Sequence, residues 1–229
     1  MKAFGIAAVC FLLTSLAQSV LAQEITEKVS AGGFEAGVHY ETLLIPVDTA
    51  DADRVEVVEV FSYACIHCYN FDGSVEAWSS SLSDGVAFRR MPAIFNETWE
   101  YLAQAYYTAE ALDVLDQMHG PMFEAIHLQG IDLRDTAVLA ELFQTEAGVD
   151  NETFTKVFNS FGVRSRVQQA DAHGRMYRVS GVPAMIVNGK YRVDGRLAGN
   201  NTRMLQVVDY LVERERSAAG AESIADAAQ

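Results

Sequence analysis

The feature that most constrains this chain is the passage from Val55 to Asp72, VEVVEVFSYACIHCYNFD, in which a valine-rich apolar run ends at Cys65-Ile66-His67-Cys68 and a helical pattern begins. Two thiols three positions apart at a helix start make a redox site. Cys65 falls at or just before the first turn, where unpaired backbone N–H groups and the positive end of the helix dipole favour an anion, here a thiolate. That placement lowers a cysteine pKa and makes it a nucleophile, with Cys68, one turn in, as the resolving thiol. The competing readings are a structural disulfide, a zinc half-site or two idle cysteines.

The pattern around this passage is β–α–β. Val55 to Phe61 reads as a buried strand broken by Glu56 and Glu59, of which one is expected to point inward; pattern alone leaves open which. Phe71, Val75 and Trp78 recur at helical spacing from Ile66 to about Leu82, and Asp84-Gly85 ends that helix. Val86 to Met91 reads as a second strand closed by Pro92. Upstream, Val38 to Ile45 has strand composition and stops at Pro46.

From Glu97 to about Arg178 strand signals vanish. Trp99 to Leu115, Asp135 to Ala147 ended by Gly148, Asn151 to Phe161 and Val163 to Tyr177 carry helical stripes. Gly120-Pro121 reads as a break before a short segment, Met122 to Leu128. A run this long is an inserted helical subdomain rather than a loop, and its aromatic residues are core. The β signal returns at Gly181 to Val193, where Asn188-Gly189 between apolar runs predicts a type I′ hairpin, and Pro183 heads the first strand in a form open to cis. Asn201 to Arg216 reads as an amphipathic helix with Met204, Leu205, Val208 and Leu211 inward. Ser217 to Gln229 is expected to be a disordered tail.

The start of the chain changes what the cysteines mean. Met1-Lys2, the apolar run Phe4 to Leu16 and Ser19-Val20-Leu21-Ala22 have the form of a signal peptide cleaved after Ala22; the apolar run falls short of the roughly 20 residues of a bilayer span. Cys10 leaves with that leader, so the exported chain keeps only Cys65 and Cys68, and one close pair cannot staple a domain of this size. The balance of 17 basic against 31 acidic residues, a net charge of −14, argues against nucleic-acid binding. The five histidines, at 39, 67, 119, 127 and 173, supply no second ligand pair at zinc spacing, and Tyr69 after Cys68 excludes the c-type haem motif. Neither a metal nor another cofactor is expected beyond the cysteine pair.

The motifs Val60-Phe61-Ser62-Tyr63-Ala64-Cys65-Ile66-His67-Cys68-Tyr69-Asn70-Phe71 and Gly181-Val182-Pro183-Ala184-Met185-Ile186-Val187-Asn188-Gly189-Lys190-Tyr191, in this order around a helical insertion, resemble the DsbA-type periplasmic thiol:disulfide oxidoreductases of the thioredoxin superfamily. The likeness covers about Phe34 to Arg216. It implies an α/β thioredoxin-like fold over 34–96 and 179–216 with a helical insertion at 97–178. It further implies that Cys65 attacks and Cys68 resolves, that His67 stabilises the Cys65 thiolate, and that Pro183 is a cis-proline beside the cysteines. Val182 before it matches the oxidant branch of the family. Glu59 falls on a buried family glutamate, Asp72 on a further acidic position and Arg90 on a basic partner, three groups placed to move protons or tune thiol pKa values.

The function so implied is donation of the Cys65–Cys68 disulfide to unfolded, newly exported proteins in the periplasm. The protein would act as a monomer and be reoxidised by a DsbB-like membrane partner. The alternatives are an isomerase or reductant using the same site, and a Cys/His metal-binding protein. Ile66 stands where the common family motif has proline, which leaves the redox potential open.

Overall fold

The structure, a computed structural model, describes residues 33–51 and 53–227, so the expected signal peptide and Cys10 lie outside the described residues. The chain separates after Glu35 into two units, and the fold is that of the unit beginning at Ala36. Its centre is a five-stranded sheet in the order β1-β5-β4-β2-β3, where β1 is Glu41–Thr42, β2 Val55–Phe61, β3 Val86–Pro92, β4 Ala184–Val187 and β5 Tyr191–Asp194. β2 and β3 run parallel, joined by helix α1 (Ile66–Ser79), while β4 is antiparallel to β2 and β5 to β4. This is the thioredoxin-like α/β arrangement.

Between β3 and β4 lie five helices, α2 (Glu97–Ala111), α3 (Leu115–His127), α4 (Thr136–Ala147), α5 (Asn151–Phe158) and α6 (Phe161–Met176). Local sequence sets their starts. Asn96, Asp135, Asp150 and Ser160 each accept a hydrogen bond from a first-turn N–H through the side chain, each cap contributing about 1 kcal/mol. Gly148, at φ 68°, ends α4 as expected. The chain closes with a short helix α7 (Gly195–Ala198) and the long α8 (Asn201–Ala227), which packs on α1, β2, β4 and β5. Met204, Val207, Val208 and Leu211 of α8 are buried, each worth roughly 1.5–3 kcal/mol in water-exclusion terms; Val207 takes the inward place expected of Leu205, which is half-buried.

Four expectations need correction. Gly120-Pro121 does not break a helix, because α3 runs through Pro121. A proline removes one N–H, and the burial of Met118, His119, Met122, Phe123 and Ala125 on that helix outweighs the loss. The strand expected over Val38–Ile45 shrinks to Glu41–Thr42, the only residues registered against β5; Leu44 and Ile45 stand 85% and 79% exposed. Both Glu56 and Glu59 are buried, not one of them, since β2 is flanked by strands on both sides and covered on both faces. Each finds a cation on β3: Arg89 Nε lies 3.1 Å from Glu56 and Arg90 Nε 3.0 Å from Glu59. Finally, the tail expected to be disordered from Ser217 is helical as far as Ala227; its alanines extend a helix already nucleated by packing.

The hairpin matches its signal in detail. Asn188 and Gly189 have φ of 50° and 59°, and the Lys190 N–H donates to the Val187 carbonyl at 2.9 Å. A Cβ on Gly189 would lie 1.8 Å from the Val47 carbonyl oxygen, so only glycine fits.

Candidate active site

Cys65 occupies the N-cap of α1, extended at φ −98° and ψ 113°, with its side chain left free of any capping bond. Its carbonyl accepts the N–H groups of Cys68 and Tyr69, both at 3.1 Å, and its own N–H donates to Ser62 at 3.0 Å. The two thiols are free, so the state described is the reduced one. A hydrogen bond from the Cys68 thiol, the N–H groups of Cys68 and His67 and the nearby His67 charge together outweigh partial burial and lower the Cys65 pKa to about 6. Cys68, one turn in, is buried against the sheet with Phe71 and Val75. Burial, followed by the neighbouring Cys65, pushes its pKa far up. Two identical side chains are thus split into an ionised, half-exposed thiol and a protonated, buried one.

The strand β4 brings its leading loop against this pair. The Val182–Pro183 peptide bond is cis, and the Cys65 thiol lies 3.7 Å from the Val182 carbonyl oxygen. His67 and Ile66 point outward. His67, Ser180, Gly181, Val182 and Pro183 share a cleft of about 490 Å³ with residues of α7 and the start of α8. Of the two thiols beside this cleft, Cys65 is half-buried and Cys68 is buried, so Cys65 is the one open to an approaching polypeptide.

Beneath the pair, one guanidinium gathers three carboxylates. Arg90 donates from Nε to Glu59 at 3.0 Å and from Nη2 to both Asp72 at 3.2 Å and Glu76 at 3.3 Å. Exposure rises along the series, from 2% for the Glu59 side chain to 24% for Asp72 and 66% for Glu76. Burial pushes Glu59 up to about 7, against the pull of Arg90, and the Asp72 charge adds to the rise. Asp72 is held below its ordinary value despite partial burial, because His119 and Arg90 both donate toward it. The Glu59 charge contributes in turn to the raised pKa of Cys68.

The network continues into the helical insertion. His119 Nε2 donates to Asp72 at 3.0 Å, which leaves Nδ1 of the neutral ring to accept the Tyr63 hydroxyl at 2.8 Å. Burial lowers the His119 pKa and keeps that ring neutral. His127 Nε2 donates to the Tyr63 carbonyl at 2.8 Å, and its ring stacks on Tyr69 at 5.2 Å. Tyr63, two residues before Cys65, is therefore fixed at both its hydroxyl and its carbonyl by α3.

The structure gathers all eight sequence-derived residues, Cys65, Cys68, His67, Val182, Pro183, Glu59, Asp72 and Arg90, around the start of α1. It adds Tyr63, His119 and His127. These were hidden because reading Gly120-Pro121 as a break split α3 between the two histidines, and a lone histidine on an apolar stripe carries no signal of its own. The available cue was His119, two positions before Pro121 and flanked by the apolar Met118 and Met122.

The profile of the DSBA-like thioredoxin domain matches residues 84–212, a stretch that begins beyond the cysteines. Whole-chain comparison covers them. The thiol:disulfide interchange protein DsbA of Azotobacter vinelandii is 42% identical over 192 residues, 84% of this chain and 89% of that protein, and a match of that length in this chain necessarily spans Cys65–Cys68. DsbA of Pseudomonas aeruginosa is 39% identical over 82% of this chain and 89% of its own. Its crystal structure superposes with a TM-score of 0.78 at 38% identity, covering 82% of this chain and 97% of that one; DsbA from Xylella fastidiosa gives 0.76 at 36%, covering 80% and 98%. With a dithiol of divided acidity at a helix start, a cis-proline loop against it and these relatives, the chain belongs to the DsbA-like thioredoxin family.

Proposed function

We propose that this thiol:disulfide oxidoreductase works as a dithiol oxidase of exported proteins, with Cys65 as the sulfur that substrates attack. The observation that carries the reading is the division between Cys65, half-exposed with a pKa lowered to about 6, and Cys68, buried with its pKa raised. In the oxidised protein a substrate thiolate attacks Cys65 Sγ. The Cys65–Cys68 bond breaks, and Cys68 leaves with the electron pair and takes up a proton. A second substrate thiolate then attacks the substrate sulfur of the mixed disulfide, and Cys65 departs as a thiolate. The substrate leaves with a disulfide and the protein with two reduced cysteines. A stabilised Cys65 thiolate is a good leaving group and makes the reduced form the lower in energy, so electrons flow toward this protein.

Supporting roles follow from position. Glu59, with a pKa near 7 and held by the donor Arg90 in one cluster with Asp72 and the exposed Glu76, is placed to deliver the proton Cys68 needs. His67 stands beside Cys65 as one of the neighbours that lower its pKa, and the Val182–Pro183 loop presents backbone to an extended substrate. The leader-like residues 1–22 support action in the periplasm, where a membrane-bound, DsbB-like oxidant would regenerate the disulfide of a monomer that needs no further cofactor. The test is transfer of the disulfide from the oxidised protein to a reduced, unfolded peptide with two cysteines, together with trapping of the mixed disulfide at Cys65 in a Cys68→Ala variant. Failure of both transfer and trapping overturns the reading.

A further inference from the structure

The cleft beside the thiols holds a cation whose side chain pairs with nothing among the described residues. Arg196, on α7, lines it together with His67, Val182 and Pro183. The one carboxylate in that lining, Asp194, is committed elsewhere: its Oδ1 accepts the N–H groups of Arg196 at 3.1 Å and Leu197 at 3.0 Å, capping α7. The Arg196 side chain is exposed and makes no ion pair or hydrogen bond among the described residues. Arg89, Arg90, Arg166 and Arg192, by contrast, are each paired with a carboxylate. In a chain of 31 acidic and 17 basic residues the general field disfavours anionic ligands. A free guanidinium opening into the reaction cleft is a local exception.

We infer that Arg196 is a specificity-determining residue that receives a carboxylate of the substrate chain close to the reacting cysteine. The preferred substrates are then unfolded segments with Asp or Glu within a few residues of that cysteine. The inference rests on the oxidase reading, and it leaves the exchange chemistry as written: Arg196 forms hydrogen bonds to the carboxylate, in the two-pronged geometry that guanidinium favours, and takes no part in bond making. The pair is solvent-exposed, so the expected discrimination is modest, about two- to fivefold in kcat/KM at low salt, and it shrinks as ionic strength rises.

The test uses the oxidised full chain and three reduced two-cysteine peptides that differ only in carrying Asp, Asn or Lys two positions from the first cysteine. Neighbouring charge changes the reactivity of the peptide thiol itself, so the quantity read is the Asp/Lys ratio of kcat/KM in each variant divided by that in the unsubstituted protein. The inference predicts a ratio that falls about two- to fivefold in R196Q, falls further in R196E, and is unchanged in K156Q, which removes the same charge from the exposed face of α5. An R196E ratio equal to that of the unsubstituted protein overturns it, as does a K156Q shift as large as that of R196Q. If the unsubstituted protein oxidises none of the three peptides, the oxidase reading itself falls and this inference with it.

Discussion

Replacing Glu59 with glutamine should change how stability depends on pH. Glu59 is buried in the centre of β2, and its pKa rises from 4.5 in the unfolded chain to about 7 in the fold. A carboxyl whose folded pKa is raised binds its proton more tightly in the native state. Its stabilising contribution is fully present below pH 4.5 and is lost as pH rises through 7. At 1.36 kcal/mol per unit, a rise of that size corresponds to a loss of about 3 kcal/mol between pH 4.5 and 8. Glutamine keeps the acceptor facing Arg90 Nε but cannot ionise. Cys65 titrates over part of the same range with the opposite sign, because its lowered pKa makes stability rise toward pH 9. The informative quantity is therefore the difference between E59Q and the unsubstituted reduced protein, in which Cys65 cancels. Urea unfolding at half-unit steps from pH 4.5 to 8 should show E59Q gaining on the unsubstituted protein by about 3 kcal/mol across the range. A difference that stays flat refutes the account of Glu59 as a buried acid with a pKa near 7.

Other consequences are as accessible. His119→Phe keeps a ring in the core but leaves the buried Tyr63 hydroxyl without its acceptor and Asp72 with Arg90 but without its second donor, so denaturant unfolding should show a loss of about 1–3 kcal/mol; no loss would mean the contact contributes nothing. Gly189→Ala places a Cβ 1.8 Å from the Val47 carbonyl in a left-handed conformation, and thermal unfolding should report destabilisation of at least about 2 kcal/mol, since the conformation alone costs roughly 1–2. Ile66 is the first residue of α1, where proline is favoured and its missing N–H costs nothing. Ile66→Pro should leave stability unchanged or raise it by up to about 1 kcal/mol, and a clear loss in urea unfolding would show that the first turn departs from ordinary helix geometry.

Much of this arrangement is legible in the residues because it is local. The β–α–β unit, the Cys65-Ile66-His67-Cys68 placement, the Asn188-Gly189 turn and the end of α4 at Gly148 are each set by a few neighbouring positions. What was illegible depends on packing between distant elements. A proline ends most helices, and the burial of Met118, Met122 and Phe123, the last packed on Phe61 and Tyr63, keeps α3 intact around Pro121. Once α3 is read as broken, His119 and His127 lose their common frame, and the tie from the helical insertion to Tyr63 cannot be seen. That both Glu56 and Glu59 point inward, rather than one of them, is likewise invisible until the structure supplies Arg89, a partner of Glu56 33 positions away in sequence. The cleft cation Arg196 carries no motif at all; its meaning comes from α7 folding back beside Val182–Pro183.

The central claim is that the fold divides the two thiols so that Cys65 leaves as a stable anion. Ultraviolet absorbance of the thiolate in the reduced protein, followed from pH 3 to 10 with a Cys68→Ala variant as reference, measures it directly. The account predicts one thiolate appearing with a midpoint near 6 and no second one by pH 10, with the midpoint rising in the variant that lacks the Cys68 hydrogen bond. A single midpoint near the ordinary thiol value of 9.0, unchanged by Cys68→Ala, would contradict it.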